Sequence, residues 1–245
     1  ALMEGFGQQF ITETSGATLG IYNVMRVLKG IVDSEPSQTA SAGEGTNAEY
    51  FRITKHSTTV SDEDGNALLY ENYALAEFSS EDPERSEWVS EVLGGIQRDF
   101  QSDSANLQEY AQEFVLEYGT DYFYSYSNYQ QLGVARHDDA VVSLIALSSL
   151  YSGGSHPNSV QVAYNMDISG QRLLRLEDVI TEDAAPELAR MVLAAVDEKF
   201  TMIDGGNGLF EDYADTIAAT MVYGSMTPYW YLNDKGLVIF YNQYE

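Results

Sequence analysis

Two neighbouring stretches restrict the fold more than any other part of the chain. Residues 140–151 (AVVSLIALSSLY) are almost continuously Ala, Val, Leu and Ile, with only serines between them. Such a run is too short for a membrane span and too β-branched for an exposed helix, so it reads as a central strand. Eight residues later Val160, Val162, Tyr164, Met166 and Ile168 alternate with polar or small residues, the period-2 pattern of a strand with one buried face. Tyr122 to Ala135 is a third strand, expected to pair antiparallel with 140–151 around His137-Asp138-Asp139. Between the last two of these three strands in chain order lies Gly153-Gly154-Ser155-His156.

Other elements follow from local chemistry. Tyr50 to Val60 and Ala67 to Phe78 read as a hairpin around Asp62-Glu63-Asp64-Gly65-Asn66, because glycine accepts the positive φ of a tight turn. The same acidic loop partly fits a calcium-binding EF-hand, with Asp62, Asp64, Gly65 and Glu71 at liganding or turn positions. Val60 at the first position offers no side-chain oxygen, which favours the hairpin. Asp82-Pro83 opens a helix, with Asp as N-cap and Pro in the first turn. Trp88, Val89, Val92, Leu93, Ile96 and Phe100 recur at helical spacing. A break is expected at 101–106, then a second helix with Leu107, Tyr110, Ala111, Phe114 and Tyr118 on its face and Gly119 as cap.

Downstream, Ser169-Gly170 is a turn and Pro186 opens a helix with core face Leu188, Met191, Val192, Ala195 and Phe200. Gly205 to Gly208 forms a loop, and residues 229–232 and 237–241 make a final hairpin around Asn233 to Gly236. Strands and helices occur in clusters without regular alternation. The expected class is α+β, with mostly antiparallel sheets packed with two or three helices. Residues 1–47 read as an N-terminal segment and linker, since Asp33 to Asn47 is small and polar. Residues 48–150 read as a first α+β domain and 151–245 as a second. The final strand runs to Glu245 with no closing segment, so the second domain is expected to be truncated.

The net charge of −26, from 38 acidic and 12 basic residues, repels nucleic acid and anionic membrane surfaces and favours basic partners. Its simplest role is solubility. The absence of cysteine excludes disulfides, thiol catalysis and Cys-ligated zinc, and agrees with an extracytoplasmic bacterial location. No apolar run approaches the ~20 residues of a membrane helix. The first residue is Ala1, as a processed chain would have.

Nucleophile-elbow, Walker, zincin and dinucleotide motifs are all missing, and no cofactor or metal is expected. His56, His137 and His156 are far apart and lack ligand-like neighbours. Acidic pairs are too numerous to nominate a glycosidase pair. Two groups remain as candidate ligand-binding residues. Gly153, Gly154 and His156 form either a joint between strands or a ligand-facing loop. Tyr229, Trp230 and Tyr231 belong to a tyrosine-rich composition, as does the cluster from Tyr122 to Tyr129. Aromatic faces with hydroxyl tips suit glycan stacking or protein contacts, and tyrosine equally favours plain sheet packing.

The stretch YSGGSHPNSVQVAYNMDISGQRLLRLEDVI, followed by a helix and YLNDKGLVIFYNQYE, carries a resemblance. Gly153-Gly154-Ser155-His156, the Asp167 to Gly170 turn and Leu176-Glu177-Asp178 resemble a bacterial extracytoplasmic domain family of unknown function, the RsiV-like / PdaC-like family. Its members include a lysozyme-binding anti-sigma factor ectodomain and a domain pair beside a peptidoglycan deacetylase. Residues 50–150 resemble the deacetylase-associated partner domain, and the second half the RsiV C-terminal type. No deacetylase domain and no sigma-factor-binding segment is visible, so neither of those activities follows. The resemblance implies a non-catalytic, secreted or envelope-anchored module that binds a lysozyme-like basic protein or cell-wall glycan (peptidoglycan). The alternatives are a carboxylate-dependent glycan-modifying enzyme and an accessory envelope protein without a soluble ligand.

Overall fold

The structure, a computed structural model, describes residues 50–138, 140–204 and 212–242. The expected linker at 1–47, the loop at 205–208, Asp139, the side chain of Phe200 and the last three residues lie outside what is described.

Strands β1 (Tyr50–Ser61) and β2 (Ala67–Ser79) form the expected hairpin, in antiparallel register from Tyr50 opposite Ser79 to Ser61 opposite Ala67. Its turn is held by one carboxylate. Asp62 Oδ1 accepts the Asp64 and Asn66 amides at 3.0 and 2.7 Å, Oδ2 accepts the Asn66 side chain at 2.8 Å, and Gly65 takes φ 87°. These bonds hold the Asp62 carboxyl below its usual range, the side-chain bond from Asn66 contributing most.

Helix α1 (Pro83–Tyr118) follows, capped as its ends imply. Asp82 accepts the Glu84 and Arg85 amides, and the Gly119 amide closes on the Val115 carbonyl at 2.9 Å. The expected break at 101–106 is absent, and one helix spans the whole segment. The buried face explains this. Val89, Leu93, Ile96, Phe100, Ser104, Leu107 and Ala111 follow one another at intervals of three or four, with Ser104 filling an interior position. Asn128 donates to both the Ser104 hydroxyl (2.9 Å) and the Phe100 carbonyl (3.1 Å), so the polar residue is satisfied where an apolar one was expected.

The chain returns as β3 (Tyr126–His137), parallel to β2 over Leu69–Tyr126 to Asn72–Tyr129. Antiparallel β4 (Val141–Tyr151), β5 (Asn158–Asp167) and the short β6 (Arg172–Leu173) complete a six-stranded sheet ordered β1-β2-β3-β4-β5-β6. β4 and β5 stand on either side of residue 150 and pair along their length, so the sheet runs across the expected domain boundary. After two 3-10 turns (Leu176–Asp178 and Glu182–Ala184) come helices α2 (Ala185–Asp204) and α3 (Tyr213–Thr220). A separate hairpin, β7 (Tyr229–Asn233) and β8 (Gly236–Phe240), ends the described chain. The class is α+β.

Four layers result. Even-numbered Val142, Leu144 and Ala146 of β4 meet Val89, Leu93 and Ile96 of α1. Odd-numbered Ile145 faces the other way, onto Tyr231 and Phe240 of the small hairpin. The outer face of that hairpin, with Trp230 and Ile239, meets Leu188 and Val192 of α2 and Met221 after α3. The small hairpin is therefore a middle layer. Residues 229–232 are buried from both sides, which accounts for a strand without polar alternation. On α2 the core side is Ala185, Leu188, Ala189 and Val192, whereas Met191, expected inside, is exposed.

β5 differs from its alternating pattern in an informative way. Val160, Val162, Tyr164 and Met166 share one face, but Gln161 and Asn165 on the other are among the most buried residues of the protein. They face the small hairpin. Asn165 donates to the Trp230 carbonyl (2.8 Å) and accepts the Ser143 hydroxyl (2.7 Å), whose oxygen accepts the Leu232 amide (3.2 Å). The Asn242 carboxamide accepts the Gln161 amide and donates to its carbonyl, pairing with that backbone as another strand would. Asn165 and Asn242 fasten the layers through backbone groups, whereas the buried Gln161 Nε2 has no hydrogen-bond partner within the described protein.

Candidate functional site

Two of the resemblance motifs, Asp167 to Gly170 and Leu176-Glu177-Asp178, fall into one structural knot. Asp167 accepts the Gly170 amide (2.8 Å), forming the turn out of β5. A Cβ on Gly170 would lie 2.5 Å from Asp167 Oδ2, which explains glycine at that position. Arg172 joins Asp167 (3.3 Å) to Asp178 (3.0 Å), and Asp178 also accepts the Arg175 amide. That backbone bond, with Arg172, holds the Asp178 carboxyl below its usual range. Leu176 is fully buried beside Trp230, and Glu177 Oε1 accepts the Met226 amide (2.8 Å). These residues shape the chain.

The glycine loop has a different setting. Gly153 and Gly154 take φ 93° and 95°, conformations that L side chains rarely adopt, and both are exposed. Tyr151 donates to the Gly154 carbonyl (3.1 Å), and half-buried His156 donates from Nδ1 to the Pro157 carbonyl (3.1 Å). A Cβ on Gly153 would sit 3.8 Å from Tyr126 Cε1, so the loop lies against the start of β3.

Tyr126 is the inner end of an aromatic row. Its ring is 5.2 Å from Phe123, Phe123 is 5.8 Å from Phe114, and Phe114 is 4.9 Å from Tyr118. The row passes from the core to solvent: Tyr126 is buried, Phe123 and Phe114 half-buried, and Tyr118 59% exposed. Beside Phe123 in the chain, Tyr122 and Tyr124 are 80% and 77% exposed, and Leu116 near the end of α1 is 86% exposed. The Phe123 amide reaches the Thr120 carbonyl, and Ser125 donates to the Ala67 carbonyl at 2.8 Å, anchoring the segment at both ends. Glu117, hydrogen-bonded to Tyr118, raises that phenol's pKa.

The structure thus brings Gly153 against Tyr126, the inner end of the aromatic row, and puts Tyr229, Trp230 and Tyr231 elsewhere. Trp230 is 8% exposed, among Leu176, Ala185, Met221 and Met226, and Tyr231 is 6% exposed against Ile145. Tyr229 lies 5.5 Å from Phe240, half-buried. Trp230 and Tyr231 therefore hold the small hairpin between its two neighbours rather than present a face to solvent. Leu116 and Tyr118 were not among the candidates, whereas exposed Tyr122 and Tyr124 belong to the tyrosine-rich stretch 122–129 noted in the sequence. One signal could have found their link to the glycines. An antiparallel pair folded about residue 139 must set the start of β3 beside the end of β4.

The histidines are dispersed. His56 stacks on Tyr73 (5.2 Å), and His137 meets Phe51 edge-on (5.3 Å). Among the described residues, no three His, Cys, Asp or Glu side chains form a group that could hold a metal ion, and no helix is long and apolar enough to cross a membrane.

No family model and no curated protein matches the chain. Crystal structures similar to it include two DUF3298 family proteins. A member of the DUF3298 family from Bacteroides fragilis is 16% identical, with 82% of this chain and 92% of that one covered and a TM-score of 0.48. A DUF3298 family protein from Pseudomonas aeruginosa is 19% identical, with 64% and 73% covered and a TM-score of 0.38.

Proposed function

We propose that this chain is a non-catalytic, extracytoplasmic binding module of the bacterial cell envelope whose partner is a basic protein of the lysozyme type. The observation that carries the reading is the exposed rings of Tyr118, at the outer end of the aromatic row, and of Tyr122 and Tyr124, beside Phe123 in the chain, on a chain of net charge −26. Large amphipathic rings at a surface offer binding area with little side-chain entropy to lose. The acidic field draws a cationic protein toward them and excludes nucleic acid. Anchoring on both sides, through Ser125 and the α1 cap, supports a preformed surface.

Exposed tyrosines equally accept sugar rings, so peptidoglycan is the second reading. The two differ in salt dependence. Association with a basic protein should slow steeply as salt rises, because screening shortens the field to ~8 Å near physiological ionic strength. Binding of uncharged sugars should stay nearly constant. Surface-binding kinetics with lysozyme and with muropeptides at two salt concentrations test this. A salt-sensitive on-rate for lysozyme supports the first reading, and salt-independent muropeptide binding without lysozyme binding replaces it with the second. Turnover of a glycan by the chain would refute both in favour of an enzyme.

A further inference from the structure

The C-terminal end of α1 violates the usual charge rule for helices. The negative end of a helix dipole is stabilised by Lys or Arg in the last turn. Here the last turn has no basic residue and carries Glu117, with Glu113 one turn earlier and Asp121 just beyond the cap. The departure is regional. From Asp99 to Ala135 the chain has no Lys or Arg, and its charges are Asp99, Asp103, Glu109, Glu113, Glu117 and Asp121. The β1–β2 turn, with Asp62, Glu63 and Asp64, belongs to the same end of the sheet: Val60 beside it packs with Tyr126 in one cluster. Carboxylates from three segments and the helix dipole therefore add their negative potential around the exposed rings of Tyr118, Tyr122 and Tyr124.

A face that is both aromatic and negative, built on a stretch without Lys or Arg from Asp99 to Ala135, complements a cationic side chain. Aromatic faces attract ammonium and guanidinium groups, and carboxylates at the rim pair with their N–H donors. Phosphate, carboxylate and lipid headgroups of either net negative charge are repelled by the same potential. We infer that the end of α1 and the 119–125 segment form a receptor for Arg or Lys side chains projecting from a basic partner, stacked on Tyr122 and Tyr124 and paired with Glu117 and Asp121. This rests on the reading of the chain as a module for a basic protein, and it names the surface and chemistry of that contact.

The test uses a short arginine-rich peptide and its citrulline counterpart, which keeps shape and loses charge, titrated calorimetrically at physiological salt. The arginine peptide should bind at least about tenfold more tightly than the citrulline peptide. Tyr122→Ala/Tyr124→Ala and Glu117→Gln/Asp121→Asn should each weaken it about tenfold. Glu182→Gln/Asp183→Asn, an equal loss of charge on the distant 3-10 turn, should change it less than about twofold. All these side chains are exposed, and the circular dichroism of each variant verifies that it is folded. No binding of the arginine peptide, equal binding by the tyrosine variant, or equal damage from the distant pair would overturn the inference. Lysozyme tested alongside separates the two claims. If the peptide binds at this surface and lysozyme does not bind, the named partner falls and the cation receptor stands. If lysozyme binds every variant alike and the peptide does not bind, the receptor falls and the partner stands.

Discussion

Asn165→Ala probes how the layers are joined. The Asn165 side chain supplies one donor, to the Trp230 carbonyl, and one acceptor, for the Ser143 hydroxyl. It is 4% exposed, so water cannot replace either bond without entering the interface. Two hydrogen bonds worth about 1 kcal/mol each net are lost, and a buried carbonyl left without a donor adds a further ~1 kcal/mol, for a total of about 3 kcal/mol. Asn165→Asp should cost more at neutral pH, because a carboxylate oxygen would face the Trp230 carbonyl in a buried site. The burial raises that carboxyl's folded pKa above its unfolded value near 4, so its penalty is greatest at neutral pH and shrinks as pH falls through the raised pKa. Urea unfolding followed by Trp230 fluorescence in a Trp88→Phe background measures both. A loss below ~0.5 kcal/mol for the alanine variant, or a pH-independent loss for the aspartate variant, would refute the view that this polar chain fastens the hairpin to the sheet.

Trp230→Ala should destabilise the fold by about 3–5 kcal/mol, because it empties a core position between β7 and α2, and thermal unfolding will register it even without any ligand. Gly95→Ala should stabilise by about 0.5–1 kcal/mol, since the new methyl meets only the Arg98 side chain at 3.8 Å and the glycine sits inside a helix. The Asp178 carboxyl is held low in the folded state, so its contribution is present above the unfolded pKa near 4 and vanishes as pH falls through the folded value. Asp178→Asn should accordingly flatten the acid limb of the stability profile, as read by denaturation between pH 5 and 2.

Local chemistry carried much of the fold. The hairpin turn at Asp62, the Asp82 cap, the Gly119 stop and the antiparallel β3–β4–β5 run all follow from short-range signals that the structure repeats. What failed depended on partners far away in the chain. The serines, Asp103 and Asn106 in 102–106 suggested a helix break because nothing nearby announced that Asn128 would satisfy Ser104. Gln161 and Asn165 looked solvent-facing because the layer that buries them is built from residues 229–242. The same distance hid which aromatic residues reach the surface. Trp230 and Tyr231 drew attention as a cluster, yet the unbroken apolar run at 229–232 is itself the mark of a strand covered twice. The exposed rings at 118–124 differ only in where α1 ends and β3 begins.

The only parallel seam of the large sheet is four residue pairs long and joins the β1–β2 hairpin to the β3–β5 meander across the whole of α1. Each of those two units pairs with itself through short turns, so each closes cheaply, whereas the seam must recover the entropy of a long connection. Chain assembly should therefore be divided in time: two local sheets first, their union last, with α1 as the strut that brings them into register. The same geometry gives a route to exchange. A β1–β2 hairpin that leaves its seam on one molecule finds an identical vacancy on another, with the long helix able to span the two, and a stabilised helix at Gly95 would slow or favour that exchange without altering a single strand contact.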